Sequence, residues 1–275
     1  MGFRISSYVM YDQRNETFLK ILNKTLWPFL KFYFRLSVAG LENIPSEKIL
    51  IVSNHNIGAL VESHSLLFLM NERHPKKVFG FTHPFIFKIP LCKEYFEAIG
   101  AVPATYEVAK EVFANDESLL IFPGGNRQAV RSIWDYKQNH FRWSHGWAKI
   151  ALEHDVKVLP VTYKNSHFVN PVFVCSRILA NILVIPRLLG VKWLPVSLSQ
   201  ILFTALTVLV LKAFALPWYL VALFGFLVFH ATVLIPLLPV RVKVQIFPAI
   251  KASEKGWTQA QLEEHVAQIM DQIYT

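Results

Sequence analysis

The chain has 275 residues, 53% of them hydrophobic and 17% charged, with a formal net charge of +9. That length encloses a single sizeable core, so one large domain with an appendage suffices. The apolar excess over the roughly 45–50% of an ordinary soluble domain lies late in the chain. The early basic residues are interleaved with Phe, Leu and Trp and form no nucleic-acid motif, which excludes a nucleic-acid partner and favours an anionic lipid surface.

Residues 16–36 place Phe18, Leu19, Leu22, Leu26, Phe29, Leu30, Tyr33 and Phe34 at helical spacing, interrupted by Lys20, Lys24, Lys31 and Arg35. This predicts an N-terminal amphipathic helix within 1–38, bent at Pro28, that lies on a bilayer or packs against its own domain. Strand and helix then alternate. Strands are predicted at 48–53, 77–81, 118–122 and 158–163, and helices after Glu62 and over 89–99, 107–113 and 144–154. The alternation predicts an α/β layered fold whose largely parallel, buried sheet is flanked by helices. Cys92 and Cys175 sit in apolar contexts without ligand spacing, so no disulfide is expected.

Across 194–240 the one formally charged residue is Lys212, and the flanks 194–211 and 213–240 are each long enough to cross a hydrocarbon layer of roughly 30 Å. The strand that follows must rejoin the sheet, which requires an even number of crossings and predicts a helical hairpin turning near Lys212 and Pro217. Arg187, Lys192, Arg241 and Lys243 place both ends on the cytosolic side. A re-entrant hairpin that dips in without crossing is the alternative. The expected organisation is therefore a catalytic domain of 39–177 and 240–275, interrupted by a hydrophobic insertion of 178–239. Residues 240–247 alternate Arg241, Lys243 and Gln245 with Val242, Val244 and Ile246, as an edge strand would. A last helix over 258–273 starts at Thr258 with Gln261 three residues on.

Two segments carry chemistry. Ile51-Val52-Ser53-Asn54-His55 reads as a strand delivering a histidine to a polar loop that contains Glu62. A histidine titrating near neutrality can take a hydroxyl proton, and a neighbouring acid can fix its tautomer. The plain alternatives are a turn-capping histidine and a helix N-terminal acid. His64 is a rival, two positions after Glu62 and therefore on another side of the following helix. His74 and His83 lack metal-ligand spacing, and no metal is expected. Leu120-Ile121-Phe122-Pro123-Gly124-Gly125-Asn126-Arg127 reads as a strand followed by a glycine turn whose backbone N–H groups can meet an anion, with Arg127 as a bidentate donor; the alternative is a strand-ending turn with a surface arginine. The Gly-x-Ser-x-Gly elbow of a hydrolase is missing.

Taken with Gly100-Ala101-Val102-Pro103-Ala104 and Val158-Leu159-Pro160-Val161, these segments resemble, in order, the four blocks of the glycerolipid acyltransferase superfamily over about residues 40–165. Phe122, Pro123, Gly125 and Arg127 match the third block's Phe-Pro-Glu-Gly-Thr-Arg. The resemblance implies an acyltransferase-type fold and acyl transfer from acyl-CoA, a co-substrate, to a lipid hydroxyl, with no other cofactor. It implies His55 as general base and Glu62 as its orienter. Asn54, Val102, Pro103, Phe122, Pro123, Gly124, Gly125, Asn126 and Arg127 are the implied substrate-binding residues. Implied partners are membrane lipids and acyl-CoA, with the catalytic domain on the cytosolic face; the sequence carries no signal for an oligomeric state.

The chain also departs from the family. The superfamily separates its histidine from an aspartate by four intervening residues, and at that place this chain has Leu60, so Glu62 fits only if the loop Asn56-Ile57-Gly58-Ala59 is two residues longer than usual. Members that acylate phosphate-bearing acceptors carry an arginine after the second block and a glutamate in the third; here stand Thr105 or Tyr106, and Gly124. The Pro-Gly-Gly turn, and Arg142 with Gly146-Trp147-Ala148, look more like the monoacylglycerol and diacylglycerol branch. Arg127, Arg131 and Lys137 could hold phosphates of coenzyme A. A neutral lipid acceptor is expected. The alternatives are a lysophospholipid or 1-acylglycerol-3-phosphate acyltransferase and an inactive lipid-binding or scaffolding homologue.

Overall fold

A computed structural model describes residues 11–57, 60–84, 86–138, 143–183 and 192–274. Gly58, Arg142 and Arg187, which figure in the sequence reading, lie outside these. Helix α1 (Glu16–Tyr33) starts where the Asn15 side chain accepts the Phe18 N–H, and it carries Pro28 internally. It is followed by β1 (Ser37–Ala39), β2 (Ile49–Ser53), α2 (Ser65–Arg73), β3 (Val78–Thr82), α3 (Cys92–Ala98), β4 (Ala101–Pro103), α4 (Tyr106–Ala114), β5 (Ser118–Ile121), α5 (Gly125–Ala129), α6 (Gly146–Glu153) and β6 (Lys157–Lys164). Then come β7 (Val172–Ser176), α7 (Arg177–Ile182), β8 (Leu194–Ser197), α8 (Leu198–Ala213), α9 (Trp218–Ala231), β9 (Lys243–Ile246) and α10 (Gln259–Asp271).

The main sheet has seven strands in the order β1-β9-β6-β2-β5-β3-β4, and β2 to β6 run parallel. Every residue of β2 is buried, because both faces of the central strand are covered. One face packs Leu19, Trp27 and Leu30 of α1 and the buried stretch of α2; the other packs Ala109, Val112, Trp147, Leu262 and Val266 from α4, α6 and α10. The α/β architecture is as expected.

Four local readings differ. Residues 243–246 do not form an edge: β9 runs parallel to β1 and antiparallel to β6, so it is paired on both sides. The period-2 alternation reports one solvated face and carries no information on neighbours. The edge on that side is β1, whose first two residues fall at the end of the sequence assigned to the N-terminal helix. The helix expected over 89–99 is a 3₁₀ turn (Ile86–Lys88) and the shorter α3, since Pro90 has no N–H to continue a helix. Residues 194–197 form β8, antiparallel to β7, so a two-stranded sheet bridges the expected boundary between domain and insertion.

The largest correction concerns the apolar insertion. Among the described residues no helix is long and apolar enough to cross a membrane. Helices α8 and α9 have 16 and 14 residues, which at 1.5 Å per residue reach about 24 and 21 Å, short of the roughly 30 Å hydrocarbon layer. Between them the chain turns at 214–217, and Gly225 lets α9 approach Val208 and Thr204 of α8. The base of the pair is closed by Ser199 Oγ donating to Thr232 O (2.8 Å), and it is tied to the main domain by Asn170, which accepts the Ser199 N–H at Oδ1 (3.1 Å) and donates Nδ2 to Val233 O (3.0 Å), and by Tyr33 Oη donating to Leu237 O (2.8 Å).

Candidate active site

The carboxyl ends of parallel strands gather loops at one edge of a sheet, and that is where this site forms. His55 follows β2. Its Nδ1–H donates to Glu62 Oε2 at 3.2 Å; a carboxylate can only accept, so this contact fixes the tautomer and leaves Nε2 with its lone pair. The ring stacks on Phe122 with centroids 4.5 Å apart, and the side chain keeps 16% of its surface exposed while Glu62 has none. The backbone is held too: His55 N–H donates to Gln128 Oε1 (3.0 Å), and Arg131 Nη1 donates to His55 O (2.7 Å).

Glu62 reaches His55 from seven residues away because residues Leu60–His64 form a π-helical turn leading into α2. The wider turn takes up the added chain length, and such turns recur at functional sites. A buried carboxylate needs donors to stay charged. Asn56 supplies two, its backbone N–H to Oε2 (2.7 Å) and its side-chain amide to Oε1 (2.5 Å).

The glycine turn behaves differently from expectation. Gly125, at φ +47°, turns its N–H onto Phe122 O (3.0 Å), so that group closes the turn and does not face an anion. Pro123 and Gly124 are buried, and Gly125 and Asn126 are exposed. The Arg127 guanidinium lies 4.8 Å from the centre of the Trp193 ring, beside the β7–β8 sheet. A Cβ on Gly124 would come within 2.3 Å of Gln128 Cβ and Oε1. Gln128 therefore fills the space a third-block side chain would take, and it uses that place to accept the His55 N–H. Gly124→Ala should displace Gln128, lowering transfer about tenfold and also lowering the melting temperature, because the added methyl meets the Cβ of the buried Gln128, which a rotamer change cannot move away. Rates of purified wild type and variant at saturating substrate check this; a rate within twofold of wild type would show that Gln128 is dispensable.

Other expected residues fall elsewhere. Asn54 is fully buried, donating to Tyr163 O (3.0 Å) and accepting from Tyr163 N–H (2.8 Å), so it ties β2 to β6. Val102 belongs to the core beneath the sheet. Pro103 is half-buried at the end of β4, three strand spacings or about 14 Å from β2. His64 packs against Tyr95, with Nε2 2.8 Å from its hydroxyl, and burial pushes its imidazole down to about 4. The residues that hold the pair, Asn56, Gln128 and Arg131, were not singled out for this role by their spacing. A small pocket of Asn56, Ile57, Arg131, His167 and Asn170 adjoins them, and burial, with the Arg131 charge, keeps the His167 imidazole well below its ordinary range.

Residues 35–164 match the family model described as Acyltransferase. This segment is an acyltransferase domain of the glycerolipid acyltransferase superfamily. The description of that model names acyl transfer. The chain is similar to an uncharacterised protein of Mycobacterium leprae, 27% identical over 183 residues, covering 64% of this chain and 48% of that protein. An uncharacterised protein of Mycobacterium tuberculosis is 25% identical over 173 residues, 62% of this chain and 46% of its own. The chicken "DGAT1/2-independent enzyme synthesizing storage lipids" is 28% identical over 128 residues, 46% of this chain and 37% of that enzyme. The chain thus spans about half the length of the mycobacterial relatives it matches. No solved structure matches.

Proposed function

We propose that the chain is an O-acyltransferase that moves a fatty acyl group from acyl-CoA to the hydroxyl of a neutral lipid at a membrane surface, with its catalytic domain on the cytosolic face. The observation that carries this reading is the contact between His55 Nδ1 and a buried Glu62 carboxylate. Nε2 takes the hydroxyl proton as the lipid oxygen attacks the thioester carbonyl; the tetrahedral intermediate then expels the coenzyme A thiolate, which recovers the proton from the imidazolium. No acyl-enzyme is required. The close pairing of Glu62 with His55, despite the unusual spacing, supports a working enzyme over an inactive homologue.

Two features support a neutral acceptor. Thr105 and Gly124 stand where phosphate-binding members carry charge, and Thr105 instead caps α4 by accepting the Val108 N–H (3.2 Å). The chicken relative bears a storage-lipid name. Membrane association is supported by the exposed apolar side chains of α8 and α9, among them Leu206, Leu209, Trp218 and Leu223. Phe29 and Phe32 of α1 face solvent while its opposite side packs on the domain, so this helix can do both things its sequence allows. The fitting topology is a re-entrant hairpin that dips into the bilayer and turns before the far surface.

The acceptor is tested by incubating the purified protein with radiolabelled acyl-CoA and chain-matched acceptors in one detergent. Monoacylglycerol, diacylglycerol or a long-chain alcohol should be acylated faster than lysophosphatidic acid. A clear preference for lysophosphatidic acid would replace this reading with a lysophospholipid acyltransferase.

A further inference from the structure

Asn56 occupies an unusual place for a loop amide. It is buried to 1% exposure directly after the candidate base, and both of its nitrogens point at one carboxylate. The backbone N–H bonds Glu62 Oε2, the oxygen that also meets His55 Nδ1, and the side-chain Nδ2 bonds Oε1. The second hydrogen of Nδ2 reaches Ser166 Oγ at the end of β6, which anchors the amide to the sheet. Its Oδ1 is buried and finds no hydrogen-bond partner among the described residues. A flipped amide would set that oxygen against Glu62, so the orientation is dictated by the two donations even though an acceptor is left unmet.

We propose that Asn56 is the positioning residue of the His55–Glu62 pair, the group that holds both oxygens of the buried Glu62 carboxylate and keeps one of them aimed at Nδ1. This rests on the catalytic reading above. Among the described residues Glu62 has no lysine or arginine ion-pair partner, and its one basic neighbour is His55, which must be neutral to act as a base. Two of the three contacts to its carboxylate among the described residues come from Asn56, and donors to a carboxylate offset the cost of burying its charge. The superfamily's shorter spacing has no need to reach across seven residues. Here the amide clamps both oxygens, so that the added chain length does not loosen the aim of the carboxylate.

The consequence is a signed pH effect. Removing a donor from the carboxylate raises the affinity of the pair for its proton, because the fully deprotonated state loses most. The acid limb of the kcat/KM profile should therefore move to higher pH. In the full chain, Asn56→Ala should lower kcat about 10- to 100-fold with KM within about twofold, and move the acid limb up by about one pH unit. Asn56→Ser keeps one hydroxyl donor and should recover part of both. Asn56→Asp puts a second carboxylate against Glu62 and should shift the limb furthest. Circular dichroism and melting confirm that each variant is folded; should the alanine variant not fold, the serine and aspartate pair decides by the same order of limbs. An acid limb and a kcat equal to wild type in folded Asn56→Ala would overturn the proposal. Loss of kcat with an unmoved limb would do so too, since it would show only a structural role. Full activity in His55→Ala would instead remove the catalytic reading itself, so the two failures are distinguishable.

Discussion

Replacing His55 by alanine should lower acyl transfer by about a hundredfold or more while the protein stays folded. The ring touches Phe122 and Glu62 and keeps part of its surface open, so its loss leaves a small, solvent-reachable gap. What it removes is the one lone pair placed to take the acceptor's proton. Glu62→Gln should cost less, about tenfold, because the base survives while the glutamine amide must present an N–H to donors that expect an oxygen. If its oxygen faces His55, the tautomer is kept; if its nitrogen does, Nε2 becomes the protonated atom and the site is silent. His64→Ala separates chemistry from packing: it should lower the melting temperature, because His64 is buried between Tyr95 and Phe68, and leave kcat within a few-fold. Initial rates and thermal melts of the three variants check all of this. Wild-type rates in folded His55→Ala would remove the claim that this histidine is the base.

The parallel sheet was legible because β2, β5 and β6 are short apolar runs between helical patterns, and burial on both faces demands such runs. Strand neighbours were not legible. Lys243, Val244, Gln245 and Ile246 alternate in the way one exposed face requires, yet β1 covers the flank that alternation suggested was open. Leu194–Ser197 sits inside a long apolar run where hydropathy looks the same for strand, helix and lipid-facing surface, so its pairing with β7 left no trace. At the site, residue chemistry singled out His55 and Glu62, and the π-helical turn explains how they meet at the wrong spacing. Amides leave no such mark. Asn54 was read as facing substrate and instead ties two strands, while Asn56 and Gln128 hold the base and the acid through contacts between residues of opposite elements or adjacent turns.

Substituting Leu202, Leu206 and Leu209 together by glutamine should abolish membrane association. These side chains recur at four- and three-residue steps along one side of α8 and are 48%, 57% and 66% exposed. A fully exposed leucine moved from water into hydrocarbon gains about 1.5–3 kcal/mol, so these three, each about half to two-thirds exposed, are together worth about a hundredfold or more in partitioning. The wild-type protein should stay with phosphatidylcholine vesicles in 1 M salt, because apolar contacts are not screened. The variant should remain in the supernatant with its domain intact, since the base of the hairpin is held by hydrogen bonds of Ser199, Asn170 and Tyr33 that the substitutions do not touch. Topology follows from length: helices of about 24 and 21 Å fall short of the roughly 30 Å hydrocarbon layer, so the hairpin turns before the far surface. A cysteine placed at Lys212, in a background lacking Cys92 and Cys175, should then resist an impermeant thiol reagent added on the side opposite the catalytic domain. Reaction from that far side would show a full crossing, and release of the wild type by salt alone would show that the apolar surface of α8 and α9 is not what binds the membrane.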